Sequence, residues 1–211
     1  YLGLSQRQDT FTVSKFKPDS SKENKYYYSF NDWTEKIREK FLHGIDDRIA
    51  AHIDGLAVAG EYGSKVCEAA LESVGIGEVF TAAIRAIEEK DEQWLDKLFA
   101  LAVAVPEVQP GLISAFGWIS AQHLQGIGAS LLASSDPFRQ QVGIAACVSH
   151  RVDAGVVLTS LINHQQPQLR ARALRAAGEL GRRDLRSACE QLLTDKDVTC
   201  RFWAAWSAVL L

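Results

Sequence analysis

The chain has 211 residues, 47% hydrophobic and 23% charged, with a formal net charge of −3. That is enough chain for a sizeable core and an ordinary globular composition, which excludes collagen-like and low-complexity classes. It lacks the global basic excess on which nucleic-acid binding draws, and no run approaches the roughly 18 apolar residues of a membrane span.

Residues 1–30 differ from the rest. "TFTVSKFK" alternates apolar and polar residues, "PDSSKEN" is a turn cluster and "KYYYSF" is aromatic and strand-like. The segment reads as an N-terminal arm, either a β-hairpin, an extended strand or a disordered tail. The chain starts at Tyr1 and contains no Met, which reads as a trimmed start. No signal-peptide pattern opens it.

From Asn31 onward the periodicity is helical. Asn31 is placed to cap "DWTEKIREKFL", and a second helix is expected over "GIDDRIAAHIDGLAVAG". There Ile45, Ile49, His52, Ile53 and Leu56 share a narrow arc. His52 on that arc reads as a core histidine, and Gly60 as a left-handed stop. Asp46 and Asp47 suit the positive end of a helix. Helices are expected next over "EYGSKVCEAALES", "GEVFTAAIRAIEEK", "DEQWLDKLFALAVA" and "GLISAFGWI", then over "AQHLQGIGASLLAS", "DPFRQQVGIAACVSH" and "AGVVLTSLINH". The last three are "PQLRARALRAAGELG", "RDLRSACEQLLTD" and "VTCRFWAAWSAVLL". His150, at the end of its helix, suits the negative pole of the dipole.

An internal period organises the second half. Arg139, Arg170 and Arg201 stand 31 residues apart, and Ala146, Ala177 and Ala208 keep the same offset, as do Leu161 and Leu192. Units are expected at about 107–134, 135–164, 165–194 and, incomplete, 195–211. A helix pair that cannot bury its apolar face alone must stack on its neighbours. The expected fold class is therefore all-α, an armadillo/HEAT-like α-solenoid: a right-handed superhelix of antiparallel helix pairs over residues 31–211, preceded by the arm. The last helix is apolar nearly all round, whereas a terminal cap carries one polar face. Further protein or a partner is expected to cover it.

The unit resembles HEAT repeats of the D-P-x-x-R type in a compact form, like that of phycobilin lyases. The stretches "IDDRIAAHIDGLAVAGEYG", "GEVFTAA", "AFGWIS", "DPFRQQVGIAACVSHRVDAG", "LRARALRAAGELGRRDL" and "CRFWAAWSAVLL" resemble an uncharacterised family of bacterial HEAT-repeat proteins over roughly residues 42–211. The resemblance carries no catalytic residues and no cofactor. Some members of that family are encoded near type VI secretion genes, which implies a link to that process.

Candidate chemistry concentrates in "QPQLRARALRAAGELGRRDLRSA". Arg170 lies at the edge of its helix's apolar arc. With Arg139 and Arg201 it forms a structural ladder expected to bond turn carbonyls or acids such as Asp136 and Asp197. Arg172 and Arg175 face away from that arc, with Arg175 and Glu179 spaced for an i,i+4 pair. Together with Arg182, Arg183 and Arg186 they are the candidate partner-binding surface.

The alternative is a nucleic-acid-binding solenoid of the DNA glycosylase type. It would use these arginines with Trp118, Trp203, Trp206 and Asp197, but a net acidic chain has few phosphate contacts to offer. Phe202, Trp203 and Trp206 read instead as core or as an exposed end. Lyase or chaperone action on a bilin or another cofactor rests on fold analogy alone.

No His-Glu dipeptide or HExxH occurs among His43, His52, His123, His150 and His164, and no phosphate loop is present. Cys67, Cys147, Cys189 and Cys200 form no CxxC pair and read as buried free thiols of a reducing compartment, hence a cytoplasmic protein. By charge the chain is split: residues 31–107 hold 8 basic and 16 acidic groups, residues 108–211 hold 10 and 7. The expected function is a non-enzymatic protein-interaction scaffold with a protein partner, no catalytic residues, no metal and no cofactor.

Overall fold

The computed structural model describes the backbone of residues 30–211 and the side chains of residues 44–211. The expected arm at 1–30 thus lies almost wholly outside the described residues. The described residues divide at residue 50 into two units, the second being 51–211.

The described residues hold eleven α-helices and no strand. They are α1 (Phe30–Val58), α2 (Glu61–Ala70), α3 (Ile76–Glu89), α4 (Glu92–Ala104), α5 (Gln109–Trp118) and α6 (Ile127–Ala133). Then come α7 (Pro137–Ser149), α8 (Gly155–Leu161), α9 (Pro167–Glu179), α10 (Arg186–Gln191) and α11 (Val198–Leu210). Short 3-10 turns sit at Pro106–Val108, Arg183–Leu185 and Leu192–Thr194.

Three expectations change here. The separate helices foreseen on either side of Gly44 are one helix of 29 residues. An isolated glycine costs a helix only about 1 kcal/mol and, unlike proline, removes no hydrogen bond. His52 is exposed, because Ile53 alone of its arc is buried while Ile49 and Leu56 are half-buried. The helix expected over 121–134 is confined to α6, since Gly126 takes φ 84° and Ser120–Leu124 close a turn instead.

Within 51–211 the helices form two rows. In the first, α3, α5, α7, α9 and α11 each touch the next. The second helices lie against this row: α4 on α3 and α5, α6 on α7, α8 on α9 and α10 on α11. An all-helical fold of this kind is consistent with an α-solenoid.

Local chemistry fixes where the helices start and stop. Asp136 accepts the N–H groups of Phe138 and Arg139 ahead of Pro137, and Asp197 accepts that of Cys200. Asp91 caps α4 through Trp94 N. Each cap satisfies backbone donors that the first helical turn leaves open. The first row ends repeatedly in a left-handed residue: Lys90 after α3, Arg151 beyond α7 and Gly181 beyond α9, with φ of 57°, 56° and 67°. The N–H that follows each returns to the helix: Asp91 to Ala86 O, Val152 to Cys147 O and Arg182 to Ala177 O, at 2.9, 2.8 and 2.9 Å.

The core runs along the seam between the rows. Phe116, Ile84, Ile87, Leu98, Leu112, Ile144, Leu158, Ile162, Leu169 and Leu174 are fully buried within it. Small residues set the spacing between first-row helices. Gly178 faces α11, where an added Cβ would lie 2.6 Å from Ser207 Oγ and 2.8 Å from the Trp206 ring. Ser207, fully buried, donates to Leu174 O at 2.6 Å.

The four cysteines are all buried and free. Burial raises each thiol's pKa, pushing Cys189 and Cys200 up to about 11, and the thiolate is the reactive form. A thiol reagent at pH 8 is therefore expected to label none of them rapidly in the native protein and all four in denaturant. Fast stoichiometric labelling of any one under native conditions would contradict this packing.

Candidate protein-interaction surface

The three ladder arginines divide in the structure. Arg170 donates to His164 O at 2.6 Å and Gln165 O at 3.2 Å, in the turn that leads into its own helix. Its Nε and second terminal nitrogen form a two-pronged bond with the carboxylate of Asp195 in the following turn, at 2.7 and 2.8 Å. The pair is nearly buried, with side-chain exposures of 12% and 6%. Arg201 repeats the first half of this pattern, donating to Asp195 O at 2.8 Å and Lys196 O at 3.1 Å. In both cases the acceptors stand six and five residues before the arginine.

Arg139 differs because its helix starts one residue closer to it. Its cap, Asp136, precedes it by three residues, whereas Gln166 and Asp197 precede Arg170 and Arg201 by four. Without that residue the turn carbonyls are out of reach. Gln140 bonds Leu132 O instead, and Arg139 reaches across to Asp96 at 2.7 Å with its guanidinium 4.4 Å from the Phe99 ring centre. Asp136 and Asp197, expected as ladder acceptors, are occupied as helix caps, and the acceptors are Asp195 and Asp96.

The rest of the arginine run is mostly paired with carboxylates. Arg175 bonds Glu179 at 2.8 Å and stacks 4.7 Å from the Trp203 ring centre. Arg172, half-buried rather than open to solvent, lies 3.5 Å from Glu179, and burial lowers its pKa. Arg182 ties two turns together: it bonds Asp184 and Asp153 at 2.7 and 2.8 Å and also Thr159 and Gly155 O. Those two carboxylates raise its pKa, and Arg182 in turn lowers that of Asp184. Arg186 pairs with Glu190 at 3.0 Å in the open, and Arg183 is exposed.

A groove of about 680 Å³ opens between α4, α6 and α7, floored by Leu95, Phe99 and Leu131 and rimmed by Glu92, His123 and Arg139. His150 is partly buried, and its Nε2 donates to Phe116 O at 2.8 Å. No group of three or more His, Cys, Asp or Glu residues is arranged to hold a metal among the described residues. No single described helix is long and apolar enough to cross a membrane.

An exposed apolar face lies on the outer side of α11. Val198, Phe202 and Val209 are 66%, 57% and 86% exposed, and Ala205 between them is exposed too. Their spacing of four, three and four residues is that of a coiled-coil seam, which keeps one narrow stripe toward a partner helix. Phe202 is held in place edge-on by Trp203, at 4.9 Å between ring centres, and Trp203 meets Trp206 edge-on at 5.4 Å. An ordered aromatic row on an open helix loses little side-chain entropy on binding, which suits it to anchor an interface. Only the apolar character of "CRFWAAWSAVLL" foreshadowed this face; which side stays open depends on how α9 and α10 pack.

Residues 156–210 match a family model described as HEAT repeats, a stretch covering α8 to α11. Among curated proteins and among solved structures nothing matches the chain.

Proposed function

We propose that the chain is a non-enzymatic scaffold or adaptor that holds a protein partner. The observation that supports this most directly is the seam-spaced apolar stripe of α11, four exposed residues on one side of a helix whose other side is packed. Proteins seldom leave a contiguous apolar strip in water unless a partner or more of the same protein covers it. HEAT repeats, present at 156–210, commonly mediate protein–protein contacts. Of the candidate arginines, Arg175 meets the aromatic row of α11 through Trp203, Arg183 and Arg186 are exposed on the run after α9, and Arg172 and Arg182 are held by carboxylates. The resemblance to bacterial HEAT-repeat proteins directs the search for the partner to cytoplasmic type VI secretion components.

The nucleic-acid reading draws less support. Four of the five candidate arginines already face a carboxylate, and each neutralised cation is one fewer phosphate contact.

Proximity labelling in cells producing the full chain tests the reading. A reproducible set of neighbours is expected for the wild type, and its loss is expected for Phe202→Asp combined with Val209→Asp, two exposed positions, in a variant whose helical circular dichroism and urea midpoint match the wild type. An empty set, or one indifferent to the double substitution, would overturn the scaffold reading.

A further inference from the structure

We infer that an uncharged groove across the starts of α5, α7 and α9 receives a proline-rich segment of a partner polypeptide, held as a polyproline II helix. This rests on the scaffold reading and names the partner's chemistry at a surface distinct from the outer side of α11.

The groove has a volume of about 360 Å³. It lies in the middle of the first row, with α3 packed beyond α5 and α11 beyond α9, so its opening depends on neither end of the sequence. Phe138 and Leu169 form its floor, 9% and 1% exposed, and the rings of Pro106 and Pro137 extend it. Its polar lining is Gln109, Gln141, Gln166 and Gln168, with no charged residue among them. A charged ligand would lose water there without meeting a counter-charge, so the occupant is neutral.

The glutamines describe what the occupant offers. Gln109 Nε2 donates to Ala102 O at 3.0 Å. Gln166 and Gln168 are exposed and Gln141 is half-buried, and no protein group among the described residues holds their side-chain amides. Each amide brings two N–H donors. A polyproline II helix makes no internal hydrogen bonds, so its carbonyls are open to such donors, and proline has no N–H that needs a partner.

Spacing selects this conformation over a strand. Pro106 and Pro137 stand 31 residues apart, as do Phe138 and Leu169, so the floor repeats from one helix to the next. Packed helices lie about 8–10 Å apart. One turn of polyproline II, three residues, advances about 9 Å and returns the same edge to the groove at each helix. A β-strand returns the same side after two residues, about 6.7 Å, and falls out of step. Aromatic-lined grooves dock polyproline II ligands, and Phe138 supplies the aromatic ring here.

The test titrates the full chain into fluorescein-labelled peptides of three, six and nine prolines and follows anisotropy. Crossing from α5 to α9 takes about six residues of such a helix. The six- and nine-residue peptides are therefore expected to bind saturably, and the three-residue peptide about tenfold more weakly or less. A nine-residue Gly-Ser peptide, equally uncharged but flexible, is expected to bind at least about tenfold more weakly than nine prolines, because it must first be ordered. Gln141→Glu combined with Gln168→Glu replaces donors by carboxylates. With the urea midpoint matched to the wild type, it is expected to weaken the nine-proline peptide about tenfold or more. A benzophenone at the centre of that peptide is expected to attach to the wild type within 106–109, 137–141 or 166–169, a readout that needs no variant to fold. No saturable binding up to about 1 mM, equal binding of the Gly-Ser peptide, indifference to the glutamine substitutions, or attachment elsewhere overturns the inference. If the peptides fail to bind while the Phe202/Val209 double variant still loses its labelled neighbours, the scaffold reading stands and this inference alone fails.

Discussion

Replacing Asp195 by alanine is expected to lower the unfolding free energy by about 3 kcal/mol or more at neutral pH, read as a drop in the urea midpoint. The ion pair with Arg170 is almost shielded from water, at 12% and 6% side-chain exposure. Removing one partner of such a pair costs about 3–5 kcal/mol because the other is left buried and charged. Arg170 retains its bonds to His164 O and Gln165 O, which places the loss at the lower end of that range. Asp195 also accepts Asp197 N at 2.8 Å, so its loss loosens the turn ahead of α11 as well.

The pH dependence follows in sign. The Arg170 guanidinium, followed by the Asp197 N–H, holds the Asp195 carboxyl below its ordinary value. A group whose folded pKa is depressed contributes stability in full above its unfolded value, about 3.9, and loses it as pH falls through the folded value. The gap between wild type and Asp195→Ala should accordingly be constant from neutral pH down to about 5 and then narrow on further acidification. A gap that widened below pH 4 would show that Asp195 is not held as a buried carboxylate.

Gly111→Ala is the second large effect, expected to cost about 3 kcal/mol, the upper part of the usual overpacking range. The added Cβ would stand 2.2 Å from Ile76 O and 3.1 Å from Ile76 C. Both are backbone atoms, so no side-chain rotation relieves the clash, and α5 must move away from α3 by about 1 Å to reach ordinary contact. That shift would spread into Leu112, Ala115 and Phe116, all fully buried on the same helix. Gly77→Ala is the matched control. Position 77 lies in the first turn of α3, and an added Cβ there would meet nothing within 4 Å. A helical alanine at that position is expected to stabilise by about 0.5–1 kcal/mol. Equal urea midpoints for the two variants would show that α3 and α5 do not meet as closely as described.

Periodicity made much of the helical order readable in advance, because each first-row helix buries small and apolar residues at helical spacing against its neighbours. The 31-residue offset aligned Arg170 with Arg201, whose grip on the preceding turn is the same. It also aligned Arg139, whose bonding differs, because a side chain's reach depends on the length of the turn before it and not on its distance from the next arginine. His52 departs from expectation for a related reason. A periodic arc shows which residues share a side of a helix but not whether another helix covers that side. Periodicity also separates inward Arg170 from outward Arg175, yet the partial burial of Arg172 and the bridging role of Arg182 depend on Glu179, Asp153 and Asp184 meeting them in space. The stripe on α11 was the least legible element, since a helix apolar on several sides does not announce which side stays open.

The main contacts of α3, α5, α7, α9 and α11 within their row are each with the next helix, and this has a mechanical meaning. No helix is a keystone, and strain applied at one seam has only adjacent seams through which to relax. Residues 51–211 should therefore answer load as a leaf spring does, by small slips shared among successive seams rather than by a hinge. A ligand seated on α11 would stiffen the α9–α11 seam first, and the tethers of Arg170 to Asp195 and Arg182 to Asp153 set how far the stiffening carries down the row.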